Sequence, residues 1–408
     1  MTTNTLQHPT ESLAQSAQLV RVTSIDILRA LTMILMIFVN DLWSLKDIPA
    51  WLGHVERGVD GIGLADIVFP AFLFIVGLSM PFAIDARRKK GATDWELVQH
   101  VLLRSVALLV MGVYLVNGEN LNAEATGFQR GIWNTLCCAS FILIWNSYPK
   151  TANKTFVYAA RAVGFIVLLV LAFVYRGGDE GEIRQFGTWW WGILGLIGWA
   201  YLASGLVSVF AKNNIYIIIA AWVFFAILSM VSHAGMLPRF LNFIPDAIRG
   251  GTLTGLTIGG VLTALIFNYY RTRNENTKLT LVLAAFAVVL VILSVITRPY
   301  WGLAKLGATP AWLFLCSAFT IFGLIVTYWV CDVWGKSNWF TLIRPAGTDT
   351  LLCYLIPYFS YATIRLLGIH LPEAVLIGGI GLTKSLLFAI LCAVITGWLS
   401  KIGIRLKL

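Results

Sequence analysis

Arg29, Asn40 and His54 are the residues near the start of the chain whose types and spacing could carry chemistry. Asn40 follows Asp26 by two steps of seven residues, which places both on one helix face, and Arg29 joins that face three residues after Asp26. Arg29 and Asn40 then lie about 16 Å apart along the helix axis. Arginine suits bidentate contact with phosphate, and histidine accepts and returns a proton near neutral pH or carries an acyl group. The alternative is a structural ion pair, an amide bonded to a neighbouring helix and a solvated loop histidine.

Long apolar stretches supply the elements that must position these residues. The chain has 408 residues, of which 58% are hydrophobic and 12% are charged, and its mean hydropathy is +0.79. A soluble domain of this length does not bury so much apolar sequence, so the pattern predicts an all-α integral membrane protein, a polytopic helical bundle of about 12 transmembrane helices. The predicted spans are 25–44, 63–84, 96–116, 130–148, 154–175, 189–210, 214–233, 250–270, 277–297, 311–332, 347–368 and 373–400.

Basic residues in the loops predict the orientation of these spans. With the N-terminus placed in the cytoplasm, sixteen lysines and arginines fall in inside segments and ten in outside loops. By the positive-inside rule both termini are cytoplasmic. The net charge of +10 therefore reflects membrane topology, and no nucleic-acid partner is expected. Residues 1–20 are polar and lack the pattern of a cleaved signal peptide, so they are predicted to form a disordered cytoplasmic lead ahead of one transmembrane domain over 21–408.

The cysteines and histidines lack the spacing of a metal site. All six cysteines lie in or beside apolar spans, where they are predicted to be small packing residues. The histidines are scattered, and neither a P-loop nor a serine-nucleophile motif occurs in the sequence. No metal is therefore expected. The residues concerned are Cys137, Cys138, Cys316, Cys331, Cys353, Cys392, His8, His54, His100, His233 and His370.

Four short motifs occur in order between residues 21 and 70. They are Arg-x-x-Ser-x-Asp-x-x-Arg over 21–29, Phe-Val-Asn ending at Asn40, the loop histidine His54, and Ala-Asp-Ile-Val-Phe-Pro over 65–70. Together they resemble the heparan-α-glucosaminide N-acetyltransferase family, whose members take acetyl from cytosolic acetyl-CoA and deliver it to a terminal glucosamine across the membrane. The resemblance implies that Asn40 and His54 are catalytic. Asn40 would donate a hydrogen bond to the acetyl carbonyl oxygen, and His54 would take a proton from the amine or first accept the acetyl group itself.

Two later segments resemble the same family. Pro245-Asp246, followed by Gly251-Thr252, implies that Asp246 is a third catalytic residue, which orients the histidine or holds the substrate amine. The alternative is a charge that is favourable near a helix N-terminus. The segment 344–350 opens the eleventh span, where Arg344 and Thr348 would join Arg29 in binding acetyl-CoA. There the alternative is that Thr348 or Asp349 caps the helix.

The resemblance implies a membrane acyltransferase that moves an acetyl group from cytosolic acetyl-CoA to an amino sugar of the glucosamine type on the periplasmic side of a bacterial inner membrane. The expected partners are an amino sugar or glycan acceptor and membrane lipids, with a homodimer as a possibility. The first alternative is a transporter of the major-facilitator type, which twelve spans with cytoplasmic termini would suit. Its loop motif is incomplete around Asp85, where two glycines are absent. The second alternative is an inactive relative with a structural or regulatory role.

Overall fold

A computed structural model describes residues 22–179 and 182–408, so the predicted lead over 1–20 lies outside the described residues. The described part is helical. Its α-helices are α1 (Thr23–Asp41), α2 (Leu64–Arg88), α3 (Asp94–Glu119), α4 (Ala123–Thr126), α5 (Arg130–Trp145), α6 (Lys154–Val174), α7 (Ile193–Ala211), α8 (Ile215–His233), α9 (Asp246–Arg249), α10 (Thr252–Arg271), α11 (Asn276–Trp301), α12 (Pro310–Tyr328), α13 (Arg344–Thr348), α14 (Thr350–Leu366) and α15 (Gly378–Lys401).

Nine helices of the described residues are long and apolar enough to cross a membrane. The predicted polytopic helical membrane fold is therefore confirmed, whereas the number of twelve spans is not confirmed by this criterion. The three remaining predicted spans coincide with α1, α5 and α14. Helices α5 and α14 have 16 and 17 residues, fewer than the roughly 20 of a straight span, and α1 carries three charged residues within its 19. The nine helices are α2, α3, α6, α7, α8, α10, α11, α15, and α12 with the π-helical turn Trp329–Val333 that continues it.

The bundle has two ends, the Asp26 end, where α1 begins, and the Asn40 end, where α1 finishes. At the Asp26 end, where α1 begins, Arg29 donates a hydrogen bond to Ser79 near the end of α2. Ser24 donates at 2.5 Å to Asp332, which follows α12. Other contacts at this end join Arg88 to the carbonyl of Val209, Lys212 to Asp94, Tyr328 to Asn276 and Arg405 to Asn146.

At the Asn40 end, where α1 finishes, Asp41 accepts hydrogen bonds of 2.7 Å from Tyr361 in the last turns of α14 and Lys384 in the first turns of α15. Other contacts at this end join Trp133 to the carbonyl of Tyr114, Tyr175 to the carbonyl of Asn117, Ser229 to Thr252 and Arg298 to Asp60. In the described residues, each of the twelve longer helices thus has one terminus at each end, and successive ones run in opposite directions.

Burial separates the inner helices from the outer ones. Helix α10 is 78% buried over its most apolar window, whereas α6 and α11 are each 22% buried over theirs. Helices that are apolar on all sides and exposed in the isolated chain are suited to face lipid. The six cysteines are buried and unpaired, in agreement with a packing role.

Helices α2 and α10 pack with their backbones in contact. A Cβ atom placed on Gly77 would lie 1.8 Å from the carbonyl oxygen of Thr257, and one placed on Gly260 would lie 1.9 Å from that of Phe74. Neither atom fits, so both positions require glycine. Small residues permit this close approach between membrane helices, where van der Waals packing replaces the hydrophobic driving force. The start of α2, which carries part of the site described next, is therefore fixed to the centre of the bundle.

Candidate active site

His54 is held by a buried carboxylate at the Asn40 end. Its Nδ1 lies 2.7 Å from Oδ1 of Asp66, and the Asp66 side chain is 2% exposed whereas that of His54 is 49% exposed. The second carboxylate oxygen accepts the backbone N–H groups of Val55 and Gly63, each at 3.0 Å. When Nδ1–H donates to Asp66, Nε2 of His54 carries the lone pair and can act as a base.

The sequence at the start of α2 explains why Asp66 lies there. Gly63 is the N-cap of α2 and Asp66 is the third residue of the helix, from which its side chain reaches back to the Gly63 N–H. The helix dipole also favours a negative charge in this first turn. Trp312 of α12 donates to the Asp66 carbonyl oxygen at 2.9 Å and fixes the turn against the bundle.

The loop that carries His54 is anchored by Asp60. The Asp60 carboxylate accepts the N–H of Leu303 at 2.7 Å and the Nε–H of Arg298 at 3.1 Å. The Leu303 N–H, followed by the Arg298 guanidinium, lowers the pKa of the Asp60 carboxyl below its usual value despite the opposing effect of burial. Gly61 also donates to the Leu303 carbonyl at 2.9 Å. The loop between α1 and α2 is thus joined to the loop between α11 and α12.

Lys305 lies beside the imidazole ring of His54. Its Nζ is 3.2 Å from Nδ1 and 3.4 Å from Nε2, and 3.5 Å from the carbonyl oxygen of Ala65. Burial lowers the pKa of the Lys305 ammonium, and the negative charge of Asp66 acts in the opposite direction. A lysine in this position can donate a hydrogen bond to an oxygen atom that becomes negative near the ring.

Asn40 lies at the same end of the bundle but on a different surface. It lines a cavity of about 460 Å³ between α1, α3, α5, α7 and α14, and His54 is not among the residues that line this cavity. The structure therefore brings His54 together with Asp66 and Lys305, not with Asn40. The polar and aromatic residues that line the cavity with Asn40 are Trp43, Glu119, Arg130, Asn134, Tyr354, Tyr358, Tyr361 and Arg365.

Asp41 anchors the wall of this cavity. Its carboxylate is buried and accepts Tyr361 and Lys384 at 2.7 Å and Ser385 at 2.6 Å. Tyr361 is itself a lining residue, so Asp41 sets its position. Lys384 also donates to Ser44 at 3.1 Å. This network fastens α14 and α15 to the end of α1.

Asp246 does not contact His54 in the described part of the chain. Its side chain is 85% exposed and forms an ion pair with Arg249, three residues later in α9. In the structure the carboxylate that holds the histidine is Asp66. The expected catalytic role of Asp246 stays a prediction, and this geometry does not support it.

The three residues predicted to bind acetyl-CoA lie at the Asp26 end. Arg29 donates to Asp26 at 3.1 Å, to the carbonyl of Gly347 at 2.9 Å and to Ser79. A Cβ on Gly347 would lie 2.1 Å from the Asp26 carbonyl oxygen, so α13 packs directly on α1. Arg29 is thus bound by protein groups, in line with the structural alternative for this residue.

Arg344 and Thr348 belong to α13, next to the Arg29 contacts. Arg344 is exposed. The Thr348 hydroxyl donates to the carbonyl of Pro345 at 3.3 Å and to Asp349 at 3.2 Å. Of the three predicted donor-binding residues, Arg344 is the one whose side chain faces outward.

Comparison with known proteins agrees with the motif resemblance. The human and mouse heparan-alpha-glucosaminide N-acetyltransferases are each 32% identical to this chain over 101 residues, which are 24% of the chain. The aligned part is 14% of the length of either relative, so the chain matches a small part of each. A family model described as a domain of unknown function, DUF5009, matches residues 21–247. Because this model covers more than half of the sequence, the chain belongs to the DUF5009 family.

Proposed function

We propose that this protein is a membrane acyltransferase that moves an acetyl group from acetyl-CoA to the amine of an amino sugar at the Asn40 end. The observation that carries the proposal is the half-exposed His54 held 2.7 Å from the buried Asp66. This is the arrangement of a general base whose orientation and tautomer are fixed by a carboxylate. The similarity to two membrane N-acetyltransferases supports the choice of reaction.

In the proposed reaction the amine attacks the thioester carbonyl carbon. A C–N bond forms, the C–S bond breaks, Nε2 of His54 removes a proton from the nitrogen, and that proton passes to the departing thiolate of coenzyme A. Asp66 stabilises the imidazolium that forms in between. The charge that develops on the carbonyl oxygen is stabilised by the Lys305 ammonium beside the ring. The expected catalytic role of Asn40, which lines a cavity without His54, stays a prediction.

A second route uses the same residues in two steps. Nε2 of His54 first attacks the thioester and releases coenzyme A, and the acetyl-imidazole then transfers its acetyl group to the amine. Initial-rate kinetics distinguish the routes. A ping-pong pattern with radiolabel retained on the protein before acceptor is added indicates acetyl-histidine, whereas a sequential pattern without retained label indicates direct transfer.

The cavity beside Asn40 has a composition suited to a sugar acceptor. Tyrosine and tryptophan side chains offer ring faces, and Glu119 and Asn134 offer acceptors for amine and hydroxyl groups. Its volume of about 460 Å³ is within the range of small-molecule pockets.

The proposed topology places the Asp26 end in the cytoplasm. Its support is the excess of basic residues in the segments at this end and the alternation of the twelve longer helices. All twelve would then cross the membrane, with both termini on the cytoplasmic side of a bacterial inner membrane. Acetyl-CoA would approach from that side, where Arg344 begins α13 and Thr348 ends it.

The test is acetyl transfer by the purified protein in lipid nanodiscs. Labelled acetyl-CoA is supplied with a panel of amino sugars that includes glucosamine, and acetylated product is measured. His54→Ala is expected to abolish transfer, while the melting temperature and the affinity for acetyl-CoA persist. His370→Ala is the matched control, because His370 is an exposed loop histidine in the described residues. Transfer by His54→Ala at a near wild-type rate would contradict the proposal.

A further inference from the structure

A second cavity, of about 740 Å³, opens at the Asp26 end between α3, α6, the turn that joins α5 to α6, and the last residues of the chain. Its lining is strongly basic. The residues described there include five cationic side chains and neither an aspartate nor a glutamate. The five are Arg104, Lys150, Lys154, Arg161 and Lys407. Such a concentration of one sign of charge attracts anions.

Two of these cations lie below the ends of their helices. Arg104 is ten residues after the start of α3 and Arg161 is seven residues after the start of α6, which places them about 15 Å and about 10 Å along the helix axes. A charged side chain at such a depth in a membrane helix is costly and is normally paired. These two arginines therefore need compensation from a nearby group.

No aspartate or glutamate of the described residues compensates these two arginines. The guanidinium of Arg104 lies 4.7 Å from the ring centre of Tyr201, and that of Arg161 lies 5.9 Å from the ring centre of Tyr148. Neither forms an ion pair among the described residues, and the buried Nε of Arg104 has no hydrogen-bond partner there. Contact with an aromatic ring compensates a cation less than contact with an anion does. Arg104 and Arg161 therefore line the cavity as cations without a carboxylate partner among the described residues.

The walls of the cavity continue into lipid-facing surface. Leu103 is 71% exposed and Tyr158 is 68% exposed, and both line the cavity. Helix α6, which carries Tyr158, is among the helices with most of their apolar surface uncovered. A ligand at this site can thus present an anion to the arginines and a hydrocarbon chain to the adjacent apolar side chains.

We propose that this cavity binds the phosphate group of an anionic membrane lipid. Arg104 and Arg161 bind the phosphate oxygens, Lys150 and Lys154 add charge at the water-facing rim, and an acyl chain lies along Leu103 and Tyr158. Basic pockets between membrane helices bind anionic headgroups in this way. A soluble phosphate compound would satisfy the same cations but would leave the apolar wall uncovered, so the geometry favours the lipid. The proposal is independent of the acyltransferase activity.

The experiment measures lipid retained by the purified full-length protein. Native mass spectrometry counts bound phosphatidylglycerol and phosphatidylcholine after exchange from mixed micelles, and thermal unfolding is followed with each lipid, with inorganic phosphate and with coenzyme A. The wild-type protein is expected to retain phosphatidylglycerol and to be stabilised by it, but not by phosphatidylcholine. Arg104→Gln and Arg161→Gln should each weaken retention roughly tenfold, since each removes a charged hydrogen-bond donor.

Arg273→Gln is the matched control. Arg273 is an arginine of the same end, stacked 3.7 Å from the ring centre of Tyr269 and not part of the cavity, so its replacement should leave lipid retention unchanged. Arg104→Lys and Arg161→Lys keep the charge and should retain part of the binding. They replace the glutamine variants in the comparison when those fold poorly. Equal retention by wild type and both glutamine variants would overturn the site. Arginine-dependent stabilisation by phosphate or coenzyme A, without retention of phosphatidylglycerol, would overturn the lipid assignment.

Discussion

Asp66 and Asp246 are the two carboxylates at the Asn40 end that are candidates for orienting His54. Asp66 is buried, accepts two backbone N–H groups and lies 2.7 Å from the ring, whereas Asp246 is exposed and paired with Arg249. Within the proposed mechanism, the buried carboxylate has the geometry to fix the tautomer of the imidazole.

Asp66→Asn is accordingly expected to lower kcat roughly a hundredfold or more, because an amide can hold the ring in the wrong tautomer and does not stabilise imidazolium. The KM for acetyl-CoA should change little. Asp246→Asn, assayed beside it, should act much more weakly. The opposite ranking of the two variants in the transfer assay would restore Asp246 as the orienting residue.

Arg29 is expected to stabilise the fold more than it binds the donor. Arg29→Gln removes one partner of Asp26 together with contacts to Gly347 and Ser79, so the free energy of unfolding should fall by about 3 kcal/mol. Thermal unfolding in detergent measures this loss, and a titration with acetyl-CoA measures donor affinity. A stable variant with strongly weakened donor binding would instead support the role in acetyl-CoA binding.

The sequence identifies His54 as a candidate base but does not identify all of its partners. Asp66 could be read from the spacing Gly63-x-x-Asp66 at a helix start, since a carboxylate there commonly caps the helix. Lys305 could not, because it is 251 residues away from His54 and only the packing of α12 beside α2 brings them together. The resemblance implied that Asn40 and His54 act together, but the loop between them places His54 against Asp66 at the start of α2.

At the scale of elements, the network around Asp41 connects three helices. The buried Asp41 carboxylate accepts hydrogen bonds from one lysine and two hydroxyl groups. Removal of Asp41 or of the lysine should lower the free energy of unfolding, because it leaves a buried charge unpaired. Hydropathy alone shows where α14 and α15 lie in the sequence. It does not show that their positions depend on one aspartate at the end of α1.

Asp41→Asn and Lys384→Met are each expected to lower the free energy of unfolding by about 3 kcal/mol, and the double variant by less than the sum. Chemical denaturation of the four proteins gives the coupling energy. Lys46 and Glu373 form the control pair, since they join the same two regions but are 66% and 77% exposed. No measurable coupling is expected for this pair. Additive effects at Asp41 and Lys384 would contradict the inference that these two side chains stabilise the fold as one network.

At the scale of the whole molecule, long apolar stretches were sufficient to predict a polytopic helical membrane protein. The number of twelve spans stays unconfirmed, because α5 and α14 are shorter than a straight span and α1 carries three charged residues. The apolar stretches over 25–44, 130–148 and 347–368 locate these three helices in the sequence, and their contacts at both ends of the bundle, which depend on tertiary packing, show that they run alongside the nine long apolar ones.

Single cysteines introduced at Lys90, Lys150 and Gly368 test whether the short helices cross. These positions are exposed, whereas the six native cysteines are buried. With an impermeant maleimide, positions 90 and 150 are expected to react from one side of the membrane and position 368 from the other. Labelling of positions 90 and 150 from opposite sides would show that α5 does not cross.

The backbone contact between α2 and α10 limits how this protein can move. At Gly77 and Gly260 there are no side chains whose rotamers could absorb a sliding motion, so the two helices are expected to behave as one rigid body. Asp66 and the attached His54 belong to that body through the first turn of α2. A motion that admits or releases a ligand is therefore expected to occur in helices other than α2 and α10, so that the base stays in place while its surroundings move.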